Sequence, residues 1–384
     1  MHYRILGNTG LKASILGFGC MRLPIKDISK AKVDEEEAIR LIRLGIDGGI
    51  NYVDSAYRYH NSRSEIILGK ALKDGYREKV ILQTKLYTPK LTVPEDFDNL
   101  LDEQLKKLQV DCIDVYLIHG LSYKRFVDII EKLNIPEKAQ EAKKQGKIKH
   151  FGFSSHDEPE NIHRLIDTNQ FEVMLVQYNL LHRDNEEIIK YAAEKGMGVV
   201  LMGPNAGGRL GIKPPERMRE LLTPTRENFV DLGLKYVWSN PGVTVALSGM
   251  GSEEMVIDNL GLASTKDIQL TAEENIRVEK VTHGYKEIAE INCTQCGYCE
   301  PCDQEVAIKL ILDLLMISVG RAGDWEDAKA KYKLIGDHKK FPGKRADACI
   351  ECLDCESKCP QEIPIVSRLQ QTHRLLTGLD SYNI

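Results

Sequence analysis

The 384-residue chain contains no apolar run long enough to cross a membrane. Its longest candidate, residues 308 to 320, carries Lys309 and Asp313 and falls short of the roughly 20 residues a spanning helix needs, so it reads as a buried helix. The opening MHYRILGNTGLKA lacks the apolar core and cleavage site of a secretory signal, and a cytoplasmic location is expected. Basic character is missing too. Of the net charge of −5, residues 293 to 384 hold about −2, so neither nucleic acid nor a membrane surface is an expected partner. There is no acidic or basic tail, no low-complexity tract, and no repeat beyond one duplicated cysteine motif. A composition 42% apolar and 28% charged excludes disorder and collagen-like repeats.

What the chain does contain is an alternation of β-branched runs with amphipathic stretches. Strands are expected at about 13–18, 50–53, 79–85, 113–118, 148–153, 173–177, 198–202 and 243–247. Helical patterns such as EEAIRLIRLGIDGG and DNLLDEQLKKLQ lie between them. Eight β-then-α units over about 250 residues specify an α/β fold, a closed (β/α)8 TIM barrel rather than an open sheet. An N-terminal β-hairpin, HYRIL turning through Gly7 to Gly10 into KASIL, precedes the first barrel strand. Thr271 and Glu274 are spaced as a capping box, and the helix they open runs towards Asn292, where composition changes abruptly to cysteine. The expected domains are a barrel over 1–292 and a small, mainly helical module over 293–384.

Ten cysteines in a reducing compartment are expected as metal ligands or buried thiols rather than disulfides. Cys293, Cys296, Cys299 and Cys302 form one group; Cys349, Cys352, Cys355 and Cys359, followed by Pro360, form another. Three thiolates at CxxC spacing wrap one face of a cubane, and a more distant fourth, often from the other group, closes it. The expected 4Fe-4S ligand sets are Cys293, Cys296, Cys299 with Cys359, and Cys349, Cys352, Cys355 with Cys302. Two zinc sites are the alternative, but zinc takes CxxC pairs and leaves a third cysteine at the same spacing unexplained. Cys299 and Cys302 are separated by two residues and followed by Asp303, where three residues and a proline are usual. Cys20 and Cys112 stand alone beside strands and read as buried free thiols, Cys20 with a minor place near the substrate.

Barrel chemistry gathers at the carboxyl ends of the strands. Asp54 ends the second, Tyr59 follows in DSAYRY, Lys85 ends the third in LQTK, and His119 ends the fourth in YLIHG. A tyrosine that donates a proton near neutrality needs a nearby cation, which Lys85 supplies while Asp54 holds it. His119 can hydrogen-bond a carbonyl oxygen from the other side.

From residue 1 to about 290 the chain resembles the aldo-keto reductase superfamily. RILGNTGLKASILGFGCMRL is similar to its amino-terminal hairpin and first strand, and DSAYRY, QTK and LIHG match its catalytic Asp, Tyr, Lys and His. With the cysteine extension, the whole resembles the subgroup that ends in a ferredoxin-like module. The resemblance implies hydride transfer between a nicotinamide and a carbonyl or alcohol, with Tyr59 as general acid. It also implies cofactor contacts at Ser154 and Gln177, with Met202 where many members stack a tyrosine. Gly207, Gly208 and Arg209 after strand seven, and Gly249, Gly251 and Ser252 after strand eight, would receive a pyrophosphate, and Asn259 would meet the adenine. No GxGxxG opens a helix after a strand, so the dinucleotide would lie extended across the barrel. NADH is favoured slightly over NADPH, because Gly251 and Ser252 stand where a 2'-phosphate would want an arginine fork.

The leading functional reading is a nicotinamide-dependent carbonyl reductase or alcohol dehydrogenase acting on a small molecule. Its two 4Fe-4S clusters would exchange electrons with a ferredoxin or flavoprotein partner. Hydride carries two electrons and each cluster takes one, so a flavin such as FMN, in the barrel or on the partner, is expected to mediate. The alternatives are a redox protein using its barrel only to bind a nucleotide, and an active barrel with purely structural clusters. The loops at residues 20–32, 86–96, 120–127 and 203–225 are mixed in polarity and leave the substrate unnamed.

Overall fold

The computed structural model describes residues 1–27, 32–214, 216–288, 293, 296–315, 325–338 and 341–379. Strand β1 (Tyr3–Ile5) pairs antiparallel with β2 (Lys12–Ser14) as the hairpin. The barrel follows, made of β3 (Leu16–Gly19), β6 (Tyr52–Asp54), β7 (Ile81–Leu86), β8 (Ile113–Ile118), β9 (Ile148–Ser155), β10 (Val173–Gln177), β11 (Gly198–Met202) and β12 (Val245–Ser248). These eight close in chain order, and every pairing is parallel. A short antiparallel pair, β4 (Ile25–Asp27) with β5 (Lys32–Val33), follows the first barrel strand.

The barrel interior is filled from successive strands by Tyr52, Ile81, Val115, Leu117, Val173, Leu175, Val200, Val245 and Leu247. Leu6 and Ala13 of the hairpin belong to the same cluster, so the hairpin plugs the end where the strands begin. Gly7 makes this approach possible. Its φ is +50°, and a Cβ there would stand 2.3 Å from the amide nitrogen of Gly198 at the start of β11. Ala13 and Ser14 were expected in the first barrel strand, which instead starts at Leu16 because those two residues pair with Arg4 and Tyr3. The helices lie outside the strands for the usual reason of one apolar face. Glu35–Asp47 is capped by the Asp34 carboxylate, carries three glutamates in its first turn, and buries Ala38, Leu41, Ile42 and Ile46.

The chain divides into two compact units. One holds Met1–Asp27, Ala31–Pro204 and Gly233–Leu270, and the other holds Asn205–Leu232 and Thr271–Ile384. The segment after β11 therefore belongs with the cysteines. The capping box forms in both directions, Thr271 N to Glu274 Oε2 at 2.8 Å and Glu274 N to Thr271 Oγ1 at 3.1 Å. The helix it opens runs Ala272–Ile288, and the junction expected near residue 292 lies outside the described residues. In the second unit the helices Ile308–Asp313, Trp325–Lys333 and Ile365–Thr377 surround a core that includes Ile308, Ile311, Leu312, Tyr332 and Leu369. Residues 316–320 of the expected buried helix are outside the described residues. Among the described residues no helix is long and apolar enough to cross a membrane.

Candidate functional site

Consecutive strands bring the four mouth residues together. Lys85 Nζ donates to Asp54 Oδ1 at 2.5 Å and to the Ser55 carbonyl at 2.7 Å, and stands 3.4 Å from Tyr59 Oη. The His119 ring meets the Tyr59 ring edge-on, centroids 6.0 Å apart. Lys85 is 1% and Asp54 4% exposed, so this is a buried ion pair that survives because both partners have further hydrogen bonds. Gln83 Nε2 donates to Asp54 Oδ1 at 2.6 Å, and Tyr52 Oη donates to Gln83 Oε1 at 2.6 Å. Burial pushes the Asp54 carboxyl up, and the Lys85 charge with the Gln83 and Lys85 hydrogen bonds pulls it back. Burial first, then the Lys85 charge, holds His119 down at about 3, and burial alone holds His156 at about 4. His119 is therefore a neutral hydrogen-bonding group near pH 7.

Tyr59 opens a turn in which His60, Asn61 and Ser62 all take left-handed φ, 51°, 52° and 64°. Each such non-glycine residue costs about 1 kcal/mol. The turn is anchored by His60 Nε2, which accepts from the Leu23 amide at 3.2 Å and so ties the loop after β3 to the loop bearing Tyr59. Cys20 is fully buried in that first loop, its amide bonded to the Asp54 carbonyl at 2.8 Å, and burial pushes its thiol up. Cys112 is half-buried, and its thiol is likewise raised by burial.

The expected cofactor residues fall into three situations. Ser154, Gln177 and Met202 stand at the carboxyl ends of β9, β10 and β11, with Gln177 and Met202 directly paired. The Ser154 hydroxyl accepts from the Gly120 amide at 2.9 Å. After β12, Ser252 caps the helix Glu253–Ala263, and Asn259 is buried with its amide donating to Ser248 Oγ at 3.0 Å. Gly207, Gly208 and Arg209 fall in the second compact unit, where Arg209 is buried with its guanidinium 5.6 Å from the Tyr285 ring centroid.

Three features escaped the sequence reading. Tyr52 and Gln83 each lie two residues before Asp54 and Lys85, hence on the same strand face, and period-two spacing is a signal that could have found them. The third is Arg22. Its side chain runs alongside Gly249, where an added Cβ would meet Arg22 Cβ at 2.8 Å and Cδ at 3.1 Å. An arginine remote in sequence thus crosses the loop that had seemed to lack one.

The cysteines ring two hollows. The lining of one includes Cys293, Cys296, Cys299 and Cys359. The lining of the other includes Cys302, Cys349, Cys352 and Cys355, with Cys299 on the shared wall. The two linings group the cysteines as the spacing predicts for two crossed ligand sets, with Cys299 common to both. Among the described residues no three His, Cys, Asp or Glu side chains converge as a single ion requires. Four sulfur donors around one space are a donor set that suits a cubane. Burial, then neighbouring cysteine and glutamate charge, pushes the Cys355 thiol to about 11, so iron would supply the positive charge that a thiolate there needs.

A parallel eight-stranded barrel with an Asp, Tyr, Lys and His at its mouth, joined to a cysteine-rich helical unit, defines an oxidoreductase class. The aldo/keto reductase family model matches residues 15–283, and a 4Fe-4S dicluster domain model matches residues 292–364. The chain belongs to the aldo/keto reductase family and carries a C-terminal 4Fe-4S dicluster domain. It is 26% identical over 308 residues to the uncharacterized oxidoreductase YqkF of Bacillus subtilis, covering 71% of this chain and 94% of that one. Aldo-keto reductase AKR11C1 from Bacillus halodurans, solved in a holo form, is similar at 30% identity and a TM-score of 0.62, over 73% of this chain and 96% of its own. An aldo/keto reductase from Klebsiella pneumoniae, solved with NADP and acetate, shares the fold at 23% identity and a TM-score of 0.60, over 72% of this chain and 94% of its own.

Proposed function

We propose that the barrel interconverts a small-molecule carbonyl and its alcohol with NADH or NADPH, and that the cysteine unit holds two redox-active 4Fe-4S clusters. The observation that carries the reading is Lys85 Nζ, set between Asp54 Oδ1 and Tyr59 Oη. The solved neighbours bound to NADP or described as holo forms support the cofactor class. A bound nicotinamide supplies the hydride, and loaded clusters each take one electron.

This chain's residues do the rest. The Tyr59 hydroxyl gives its proton to the carbonyl oxygen, and the Lys85 ammonium stabilises the phenolate left behind. Asp54 and the Ser55 carbonyl keep that ammonium aimed. Neutral His119 donates a hydrogen bond to the carbonyl oxygen without competing as an acid. In the cysteine unit, Cys299 lies on the wall common to both hollows, so centres held there would be neighbours. Because hydride moves electrons in pairs, exchange between nicotinamide and clusters requires a flavin such as FMN, in the barrel or on a partner.

The decisive variant is Tyr59→Phe. Carbonyl reduction should fall about 10³-fold with dinucleotide Kd unchanged, because only a proton donor is removed. Undiminished turnover would sink the assignment.

A further inference from the structure

The two cysteine groups differ in what they show to solvent. Cys352 is exposed, whereas the other seven cluster cysteines are partly buried. On either side of it in sequence, Ile350 is 63% and Leu353 54% exposed, although both also line the second hollow. Leu353 sits at φ +62° and Glu351 at φ +59°. A leucine in this conformation costs roughly 1–2 kcal/mol, which glycine would avoid and asparagine would reduce. The backbone therefore holds an unfavourable shape at an apolar side chain that is half exposed at the edge of the hollow, and exposed apolar groups rimmed by polar ones mark an interaction surface.

The rim is acidic. Residues 346–357 contain Asp347, Glu351, Asp354 and Glu356 and no basic residue. Asp303 adds another acid to the wall of the same hollow. The basic residues that flank this stretch are Lys344, Arg345 and Lys358; Lys358 pairs with Asp354 and Lys344 with Glu305, which leaves Asp347, Glu351 and Glu356 against Arg345 along it. Four thiolates leave a cubane with net negative charge, which adds to the same sign.

We propose that this face is the docking end of the cluster pair. Its partner is a one-electron carrier protein whose contact surface is apolar and ringed by basic residues, and the proposal rests on the reading that the clusters are redox-active. Docking over Ile350 and Leu353 excludes water and brings the carrier's centre towards Cys352. One electron leaves the reduced cluster and reduces the carrier, with no bond broken and no proton moved. An acidic carrier such as a plant-type ferredoxin is repelled by the same rim.

The test uses the full-length holoprotein, reduced with dithionite, freed of excess reductant and mixed with a basic or an acidic c-type cytochrome in a stopped-flow instrument. The basic cytochrome should be reduced at least tenfold faster at low salt, with the advantage shrinking as ionic strength rises. An Ile350→Ser/Leu353→Asn double variant, in which asparagine suits the left-handed position, should lose at least tenfold in that rate. Because both side chains also line the second hollow, the rate is compared per cluster, counted from iron content and visible absorbance. Asp347→Lys with Glu351→Lys should shift the preference to the acidic cytochrome. Equal rates with the two cytochromes, or variants that leave them unaltered, overturn the docking face. Clusters that neither dithionite nor methyl viologen reduces overturn the redox reading beneath it, and so separate the two failures.

Discussion

The barrel mouth and the cysteine unit organise charge in opposite ways. At the mouth, Lys85 and Asp54 are almost wholly buried, and each has protein hydrogen bonds, so the site is assembled before any ligand arrives. In the cysteine unit the sulfurs ring two hollows instead of meeting one another. Several of the cysteines pack directly against the apolar cluster of that unit. One region buys its geometry from hydrogen bonds inside a closed barrel; the other leaves space at its centre for metal to fill. Loss of cofactor should therefore leave the barrel folded and disorganise the cysteine unit.

The contrast breaks most sharply at Lys85. Lys85→Met should lower carbonyl reduction about 10³-fold and, by stranding a buried carboxylate, destabilise the barrel by about 3–5 kcal/mol in urea unfolding. Adding Asp54→Asn should restore much of the stability and none of the rate. Recovery of rate would mean that the cation is structural only.

Metal content sharpens the other side. The protein purified without oxygen should hold about eight iron and eight acid-labile sulfide per chain, and Cys359→Ala or Cys302→Ala should each remove about half. Because Cys359 lines the hollow of the first group, its loss should abolish the centre of Cys293, Cys296 and Cys299. Two zinc per chain without visible absorbance would end the cluster assignment.

A smaller effect is expected at Arg22, which lies beside Gly249. If its guanidinium reads the 2'-phosphate, Arg22→Gln weakens NADPH about tenfold and NADH little, as expected for one lost charge-assisted contact. Equal loss for both would place the contact on the shared pyrophosphate.

The smallest effect is on pH dependence. His119, held at about 3, binds fewer protons folded than unfolded. Its contribution to stability is thus full above the ordinary histidine pKa near 6.5 and is lost as pH falls towards 3. His119→Gln should flatten urea stability between pH 6 and 4; an unchanged profile would show that His156 or other groups dominate.

Several parts of this protein were determined by its sequence alone, because they depend on spacing. Strand and helix periodicity repeats locally eight times, and ligand cysteines at CxxC intervals state their own geometry. Asp54, Lys85 and His119 were legible because each ends a strand, and strand ends of a parallel barrel share one rim. Tertiary structure alone decided what depends on sequence-distant neighbours. Arg22 beside Gly249, His60 holding the Leu23 amide, and the Tyr52 to Gln83 relay each join different strands or loops. Arg209 shows the limit most plainly, since a glycine-rich loop with a cation reads locally as an anion site. That segment falls in the compact unit of the cysteines, where the guanidinium is buried near the Tyr285 ring, a placement the local pattern does not contain. Local patterns settle which elements form, because backbone geometry is local, whereas closure of the barrel and burial of charge settle which side chains meet.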